Sequence, residues 1–172
     1  MAASDVPRDV PQLDGVHHLK LPVSDIKRSV EWYGSRLGYQ VTTEFTEKDK
    51  LVGVIMNHPA GGPVFGLRLD PELAARAAGF DYFSIGVPTK EDLESLAARL
   101  KDFGDGHAGV HFATVGWILP GTHDPDGHEV RFYTTEQHTD YGDGEIRHVE
   151  SAVRYAAERE RNYKESGPGS GR

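Results

Sequence analysis

The chain has 172 residues, enough for one domain or for two small halves that share a hydrophobic core. Its formal net charge of −8 argues against a nucleic acid or an anionic membrane as the main partner, because both attract basic surfaces. The absence of cysteine excludes disulfides and cysteine nucleophiles, and the lack of a membrane-length apolar run or a signal-like start predicts a cytoplasmic protein.

The first half of the chain is predicted to form a flexible arm, a strand, a helix and three more strands. Residues 1–14 contain two prolines and few apolar side chains. Residues 18–23 (HLKLPV) alternate apolar and polar side chains, which is typical of a half-buried strand. Ser24 and Asp25 can cap a helix that Gly38 ends. Its apolar stripe is Ile26, Val30, Tyr33 and Leu37. Strand-like runs follow at residues 39–46, 51–57 and 63–69.

The second half repeats this order 64 residues later. Residues 82–87 (YFSIGV) predict a strand, and Thr89 with Asp92 resembles a capping box. The apolar stripe of the second helix is Leu93, Leu96, Leu100 and Phe103, and the strand-like runs are 107–112, 115–119 and 128–134. A short helix (PELAARAA) after Asp70 joins the halves. Two matched βαβββ units at one offset indicate an internal duplication and an α+β fold.

Four segments are therefore predicted. Residues 1–14 are a flexible arm, 15–79 the first βαβββ module with its linker helix, 80–135 the second module, and 136–172 a C-terminal helix with a flexible tail. The C-terminal helix is charged and is expected to pack on the domain or on a second subunit.

Two segments carry a resemblance to a known family. They are GVHHLKLPVSDIKRSVEWYGSRLGY, which begins at Gly15, and GWILPGTHDPDGHEVRFYT, which begins at Gly116. Together with the duplication, they resemble the vicinal oxygen chelate superfamily, which includes glyoxalase I, bleomycin resistance proteins and extradiol dioxygenases. The resemblance implies an eight-stranded, mostly antiparallel curved sheet around a cleft, with the helices outside, and a homodimer.

The resemblance also implies four positions for metal ligands, which here are His18, Gly66, Tyr82 and Arg131. Only His18 is a usual ligand. Gly66 has no side chain, and Arg131 offers only N–H donors and keeps its positive charge. No cofactor is therefore expected and a divalent metal is disfavoured, although an atypical site remains open around four further histidines. These are His107, His111, His123 and His128.

Strand alternation places polar side chains on the face that carries His18. The candidate catalytic residues are His18, Tyr82 and Arg131. The candidate substrate-binding residues are Lys20, Gly66, Arg68, Ser84, Trp117, Glu129 and Tyr133. Arg131 either anchors an anionic oxygen or forms a salt bridge with an internal acid such as Glu129 or Glu44. His18 is either a general acid or base, or an imidazole that is hydrogen-bonded without chemistry.

These residues support two functions. The first is a metal-independent protein that binds a small molecule and sequesters an antibiotic or another oxygenated metabolite, as bleomycin resistance proteins do. The alternative is an enzyme of the lyase, isomerase, epimerase or dioxygenase type, either metal-free or with a non-standard metal site. In both cases the expected partners are a small molecule and a second copy of the chain.

Overall fold

The computed structural model of the protein describes residues 15–113 and 116–137. Strands and helices follow one another in the order that the repeat predicts. The elements are β1 (Leu19–Val23), α1 (Ile26–Leu37), β2 (Gln40–Glu47), β3 (Lys50–Asn57), β4 (Phe65–Leu69), α2 (Pro71–Ala77), β5 (Ser84–Val87), α3 (Lys90–Asp102), β6 (His111–Phe112), β7 (Trp117–His123) and β8 (Glu129–Thr134). The predicted arm and the predicted C-terminal helix and tail lie outside the described residues.

The strands form two four-stranded sheets with the same internal arrangement. The order is β1-β4-β3-β2 in the first sheet and β5-β8-β7-β6 in the second. In each sheet the first and last strands of the module pair in parallel, and the other pairings are antiparallel. The prediction of two βαβββ modules with mostly antiparallel strands is confirmed. The single eight-stranded sheet is not seen in the described residues, because the hydrogen-bonded ladders stay within each module.

Helix α1 forms where the sequence predicts it, because local chemistry sets both of its ends. The Asp25 carboxylate accepts a hydrogen bond from the backbone N–H of Arg28 at 3.1 Å, which caps the N-terminus. Gly38 ends the helix at a φ of 81°, in the left-handed region that favours glycine. The buried residues of the helix are Ile26, Ser29, Trp32 and Tyr33.

Helix α3 begins at the predicted capping box. The Thr89 hydroxyl accepts from the backbone N–H of Asp92 at 3.1 Å and donates to the Asp92 carboxylate at 2.7 Å. Phe103, expected at the end of the apolar stripe, instead lies at the C-cap and is 41% exposed. The guanidinium of Arg36 lies 4.5 Å from the centre of its ring, so a cation–π contact replaces burial in the core.

The second module differs from its predicted strand boundaries at three places. Strand β7, expected over residues 115–119, extends from Trp117 to His123. The strand expected to begin at Tyr82 begins at Ser84, because the Tyr82 ring packs edge-on against Phe80 and His128 instead of joining the ladder. Strand β6 has only two residues, His111 and Phe112, where a longer run was expected.

One hydrophobic core joins the two modules. The apolar faces of the strands are largely buried, although Leu69 at the end of β4 is 38% exposed. The ring centres of Phe65 and Phe83 lie 5.1 Å apart across the module boundary. Side chains such as Leu21, Phe65 and Phe132 are almost completely buried, and each contributes about 1.5–3 kcal/mol relative to exposure. Among the described residues, no helix has the length and apolar character that crossing a membrane requires.

The turn between β7 and β8 (residues 124–128, DPDGH) fastens the second module to the N-terminus of α1. The Asp126 carboxylate accepts hydrogen bonds from the backbone N–H of Ser24 at 3.1 Å and from its hydroxyl at 2.5 Å. It also pairs with the Arg28 guanidinium at 3.0 Å. The carboxylate therefore lies where the helix dipole favours a negative charge.

A second carboxylate of this turn, that of Asp124, is buried and makes four hydrogen bonds. One oxygen accepts from the backbone N–H groups of Asp126 and His128, both at 3.0 Å. The other accepts from the His128 ring at 2.9 Å and from the Tyr33 hydroxyl of α1 at 3.1 Å. Burial, together with the charge of Asp124, raises the pKa of Tyr33 well above its usual value, so the phenol remains a donor.

Candidate functional site

The two modules present equivalent polar faces. In the first sheet Lys20 pairs with Gly66 across β1 and β4, and in the second Ser84 pairs with Arg131 across β5 and β8. Because successive side chains of a strand point to opposite faces, these residues lie opposite the apolar faces that form the core. The duplicated register thus produces two polar half-sites, one on each sheet.

The first half-site is formed around His18 and Gly66. His18 lies just before β1 and is exposed, with its Nδ1 atom 3.0 Å from the Nδ1 atom of His17. Gly66 is buried, and a Cβ atom placed there would lie 3.5 Å from both the His18 ring and the Ile55 side chain. The glycine therefore leaves the space beside the imidazole open. Lys20, on the same face, is exposed.

Arg68, the last of the predicted site residues in the first module, lies near the end of β4. It is exposed, and one of its guanidinium nitrogens lies 3.5 Å from a carboxylate oxygen of Glu47 on β2. In the register it pairs with Gly53, two residue pairs away from the pairing of Gly66 with Ile55. This exposed ion pair contributes little to stability.

The second half-site is organised by an ion-paired arginine. One guanidinium nitrogen of Arg131 lies 2.8 Å from the Asp81 carboxylate, and its Nε donates to Glu129 at 2.9 Å. Glu129 is almost completely buried and also accepts from the backbone N–H of Gly121 at 3.0 Å. Two carboxylates thus face one guanidinium. This is the salt bridge that the sequence analysis gave as one of two possible roles for Arg131.

Two tyrosines lie near this half-site. Tyr82 is 45% exposed and contacts the His128 ring edge-on at 5.8 Å, and Tyr133 is half-buried on β8, on the same face as Arg131. Trp117, which was predicted for the site, lies on the opposite face. The register pairs its neighbour Ile118 with Tyr133, so Trp117 shares the face of Phe132, packs against the hydrophobic core and has the ammonium group of Lys90 5.9 Å from its ring.

The structure brings the predicted residues together within each module but leaves the two half-sites separate. His18 and Gly66 are neighbours, as are Ser84, Glu129 and Arg131. Within the described part of the chain, no hydrogen bond or ring contact joins His18 to Tyr82 or to Arg131.

Comparison with known proteins identifies the family. Residues 15–132 match the Glyoxalase/Bleomycin resistance protein/Dioxygenase superfamily. The chain belongs to this superfamily. It is 28% identical over 91 residues to a catechol-2,3-dioxygenase from Bacillus subtilis (strain 168), a match that covers 52% of this chain and 32% of that protein. The matched segment thus spans about a third of the length of this curated relative.

Solved structures of the superfamily share the fold. TnmS3, an antibiotic-binding protein from Streptomyces sp. CB03234, superposes with a TM-score of 0.61 at 16% identity, over 74% of this chain and 100% of that one. A glyoxylase/bleomycin resistance protein/dioxygenase domain from Frankia sp. EAN1pec gives a TM-score of 0.59 at 22% identity, over 73% and 100%. Likeness at these identities establishes the fold alone.

The positions that correspond to the superfamily's metal ligands do not fit a divalent cation in this chain. A divalent ion requires neutral or anionic oxygen or nitrogen donors. Gly66 provides no side-chain donor, and Arg131 is a cation already held by two carboxylates. Within residues 15–113 and 116–137, no group of three or more His, Cys, Asp or Glu side chains is arranged to hold a metal ion.

Three of the four additional histidines are hydrogen-bonded to other groups. His107 and His111 lie 3.0 Å and 2.6 Å from the backbone carbonyl oxygens of Ala97 and Ala108. His128 is bonded to Asp124, as described above. His123 lies at the end of β7 and pairs with Glu129 in the register.

Asp81 is a residue of the second half-site that the sequence analysis missed. It lies in the irregular segment before β5, where neither strand alternation nor a motif marks it. The only sequence signal is the order Asp81–Tyr82, an acid directly before a candidate site residue. Its role depends on the fold, which brings it to Arg131.

Proposed function

We propose that the protein binds an oxygenated small molecule, an antibiotic or another metabolite, on the polar faces of its sheets without a resident divalent metal. The observation that carries this proposal is the ion pairing of Arg131 with Asp81 and Glu129. A guanidinium at a ligand position repels a cation, and the two acids are already ion-paired with it. Antibiotic binding has a precedent in TnmS3, which is described as an antibiotic-binding protein.

The charges of the half-sites favour a ligand with two kinds of polar group. Lys20 and His18 provide donors in the first half-site, where they suit a carbonyl, phenolate or carboxylate oxygen. Beside Arg131, the carboxylates of Asp81 and Glu129 provide acceptor oxygens, so that half-site suits hydroxyl or amine donors. Gly66 leaves room for the ligand, and the remaining residues of the proposed site provide stacking surfaces or hydrogen bonds. They are Arg68, Ser84, Tyr82 and Tyr133.

A second copy of the chain completes the proposed assembly. Strand β2 is the edge strand of the first sheet, and all eight of its residues are exposed. They include Val41 and Phe45, which are 37% and 48% exposed. Apolar side chains on an open edge strand favour pairing with another chain. We therefore propose a homodimer in which β2 contacts the partner.

Titration calorimetry with catechol tests the binding function, because catechol is an oxygenated aromatic molecule that a relative's name identifies as a substrate type. Lys20→Ala is expected to weaken binding on the order of tenfold, since it removes a charged donor. Lys27→Ala, which removes an exposed lysine of α1, is the matched control and should leave affinity unchanged. Equal losses in both variants, or binding that disappears after treatment with a chelator, would contradict the proposal.

The proposed alternative is an enzyme of the lyase, isomerase or dioxygenase type that uses His18 as an acid or base. It is favoured by the 3.0 Å contact between the His17 and His18 imidazoles, which can hold one ring in a fixed tautomer. Conversion of catechol or a related diol that is lost in His18→Ala but kept after chelation would support a metal-free enzyme. Binding without product formation would reject it for these substrates.

A further inference from the structure

A cavity lies on the other side of the second sheet, away from the polar half-sites. Its volume is about 340 Å³, and it is open to solvent on one side. Its walls come from both modules: the end of α1 with Leu37 and Tyr39, the segment of residues 58–62 between β3 and β4, strand β5, and Leu96 of α3. The cavity therefore forms at the seam where the first helix meets the second module.

Strand alternation separates this cavity from the proposed site. Ile85 and Phe132 line the cavity, whereas their sequence neighbours Ser84 and Arg131 belong to the polar half-site. Because adjacent residues of a strand point to opposite faces, a molecule in the cavity cannot contact the polar face of the same sheet.

Tyr39 provides an unused hydrogen-bond donor in this cavity. Tyr39 is only 5% exposed, and the centre of its ring lies 4.8 Å from the centre of the Phe65 ring. Within the described part of the chain, its hydroxyl has no hydrogen-bond partner. A Cβ atom at Gly62, another lining residue, would lie 3.5 Å from this hydroxyl oxygen. Burial raises the pKa of Tyr39 to about 12, so the hydroxyl keeps its proton.

A second donor comes from His58. Its Nδ1 atom accepts a hydrogen bond from the backbone N–H of Ala60 at 3.1 Å, which places the proton of the neutral ring on Nε2. The ring also contacts Tyr39 edge-on at 5.4 Å. The two donors therefore lie on the same wall of the cavity.

Among the described residues that line the cavity, the one guanidinium is already ion-paired. Arg36 lines it, but its Nε donates to Asp105 at 3.0 Å and one terminal nitrogen donates to Glu31 at 2.9 Å. The remaining walls are mainly apolar. They are formed by Leu37, Ile85, Val87, Pro88, Leu96 and Phe132.

We infer that this cavity is a second binding site, for a neutral, planar apolar molecule of bicyclic size that carries one carbonyl or ether oxygen. The volume supports this size, because an engineered cavity of roughly 150 Å³ accommodates benzene. The acceptor oxygen is expected because the Tyr39 hydroxyl borders the open cavity, where a ligand oxygen can accept its hydrogen bond in place of water. The apolar walls supply the remaining affinity.

Two matched probes test the inference: 2-acetylnaphthalene, which carries a carbonyl, and 2-ethylnaphthalene, which does not. Dissociation constants are measured by titration with detection by protein NMR. Tyr39→Phe removes only the hydroxyl and is expected to weaken the ketone on the order of threefold to tenfold, with the hydrocarbon unaffected. Equal effects on both probes, or no binding of either probe to the unmodified protein, would overturn the inference.

Two further substitutions locate the bound probe. Leu96→Trp fills the cavity and should abolish binding of both probes, whereas Ser84→Trp on the opposite face of β5 should leave both affinities unchanged. Thermal unfolding confirms that each variant is folded. Loss of binding in Ser84→Trp with retention in Leu96→Trp would place the probes on the polar face and contradict the second site.

Discussion

At the scale of single residues, His107 shows how two hydrogen bonds fix a protonation state. Its Nε2–H donates to the carbonyl oxygen of Ala97 at 3.0 Å, and its Nδ1 accepts from the backbone N–H of Gly109 at 3.0 Å. A second ring proton would displace the Gly109 bond. Burial lowers the pKa of His107; the bond to Ala97 opposes this effect and the charge of Lys101 adds to it. The folded state therefore favours the neutral ring.

This arrangement predicts a stability that falls in acid. Below its ordinary pKa of 6.5 the unfolded chain protonates His107, while the folded protein does not until a lower pH. Unfolding thus takes up a proton in that window, and the free energy of unfolding decreases as the pH falls through 6.5. Denaturant titrations at neutral and mildly acidic pH should show a smaller decrease for His107→Gln than for the unmodified protein.

Lys27→Gln provides the comparison for this experiment, because it changes an exposed residue of α1 and leaves every histidine in place. This variant should keep the pH dependence of the unmodified protein. If His107→Gln and Lys27→Gln responded to pH in the same way, the neutral state assigned to His107 would be wrong.

At the scale of elements, helix α1 is held at both ends by the second module. Asp126 lies at its N-terminus, and at its C-terminus the Arg99 guanidinium donates to the carbonyl oxygens of Arg36 (2.9 Å) and Ser35. An anion at the start and a cation at the end both complement the helix dipole. The DPDGH turn, which carries part of the family resemblance, thus joins the two modules in this chain.

The contribution of this junction can be measured through Asp126→Asn. The substitution keeps the shape of the side chain but replaces the charged carboxylate with a neutral amide. The donors of Ser24 and Arg28 then lose their charged acceptor. We expect the free energy of unfolding to fall by about 1–3 kcal/mol. Asp102→Asn, at the exposed end of α3, is the control and should change it by less than about 0.5 kcal/mol. Urea denaturation measures both values, and similar results for the two variants would contradict this role of the turn.

At the scale of the whole molecule, the duplication determines both the fold and the two half-sites. The pairing of Lys20 with Gly66 in one sheet is repeated by Ser84 with Arg131 in the other. The modules share one core through Phe65 and Phe83, so they form one structural unit. The proposed ligand site and the proposed dimer follow from the polar faces of the two sheets and from the exposed edge strand β2.

The proposed dimer predicts a change in mass when the edge strand is charged. Phe45→Glu places a carboxylate at an exposed apolar position of β2 and should convert the dimer to a monomer in light scattering at micromolar concentration. Leu73→Glu, which changes an equally exposed leucine of α2, should leave the dimer intact. A dimeric Phe45→Glu variant would exclude β2 as the contact.

Much of the fold could be predicted because its signals are local. Asp25 and Thr89 cap helices whose apolar stripes lie within the next few turns. Because the modules repeat, each of these patterns occurs twice in the sequence. The contacts that join the modules could not be predicted, since Ser24 and Asp126 are 102 residues apart in the chain. The partner Asp81 of Arg131 was likewise missed, because it belongs to no periodic element.

The candidate site was predicted in part. Alternation placed Lys20, Ser84 and Arg131 on polar faces, and the register agrees. It did not predict that Arg131 would face two carboxylates rather than one, or that a cavity would open behind β5. Both depend on how whole modules pack, which no local pattern records.

Binding on the polar faces is proposed to need no divalent metal, and elemental analysis measures whether the protein carries one. The protein is expressed with added iron, manganese, nickel and zinc, purified, and measured by plasma mass spectrometry beside its His18→Ala variant. We predict far less than one ion per chain in both proteins and unchanged thermal unfolding after chelation. One tightly bound ion per chain that is lost in His18→Ala would contradict the account.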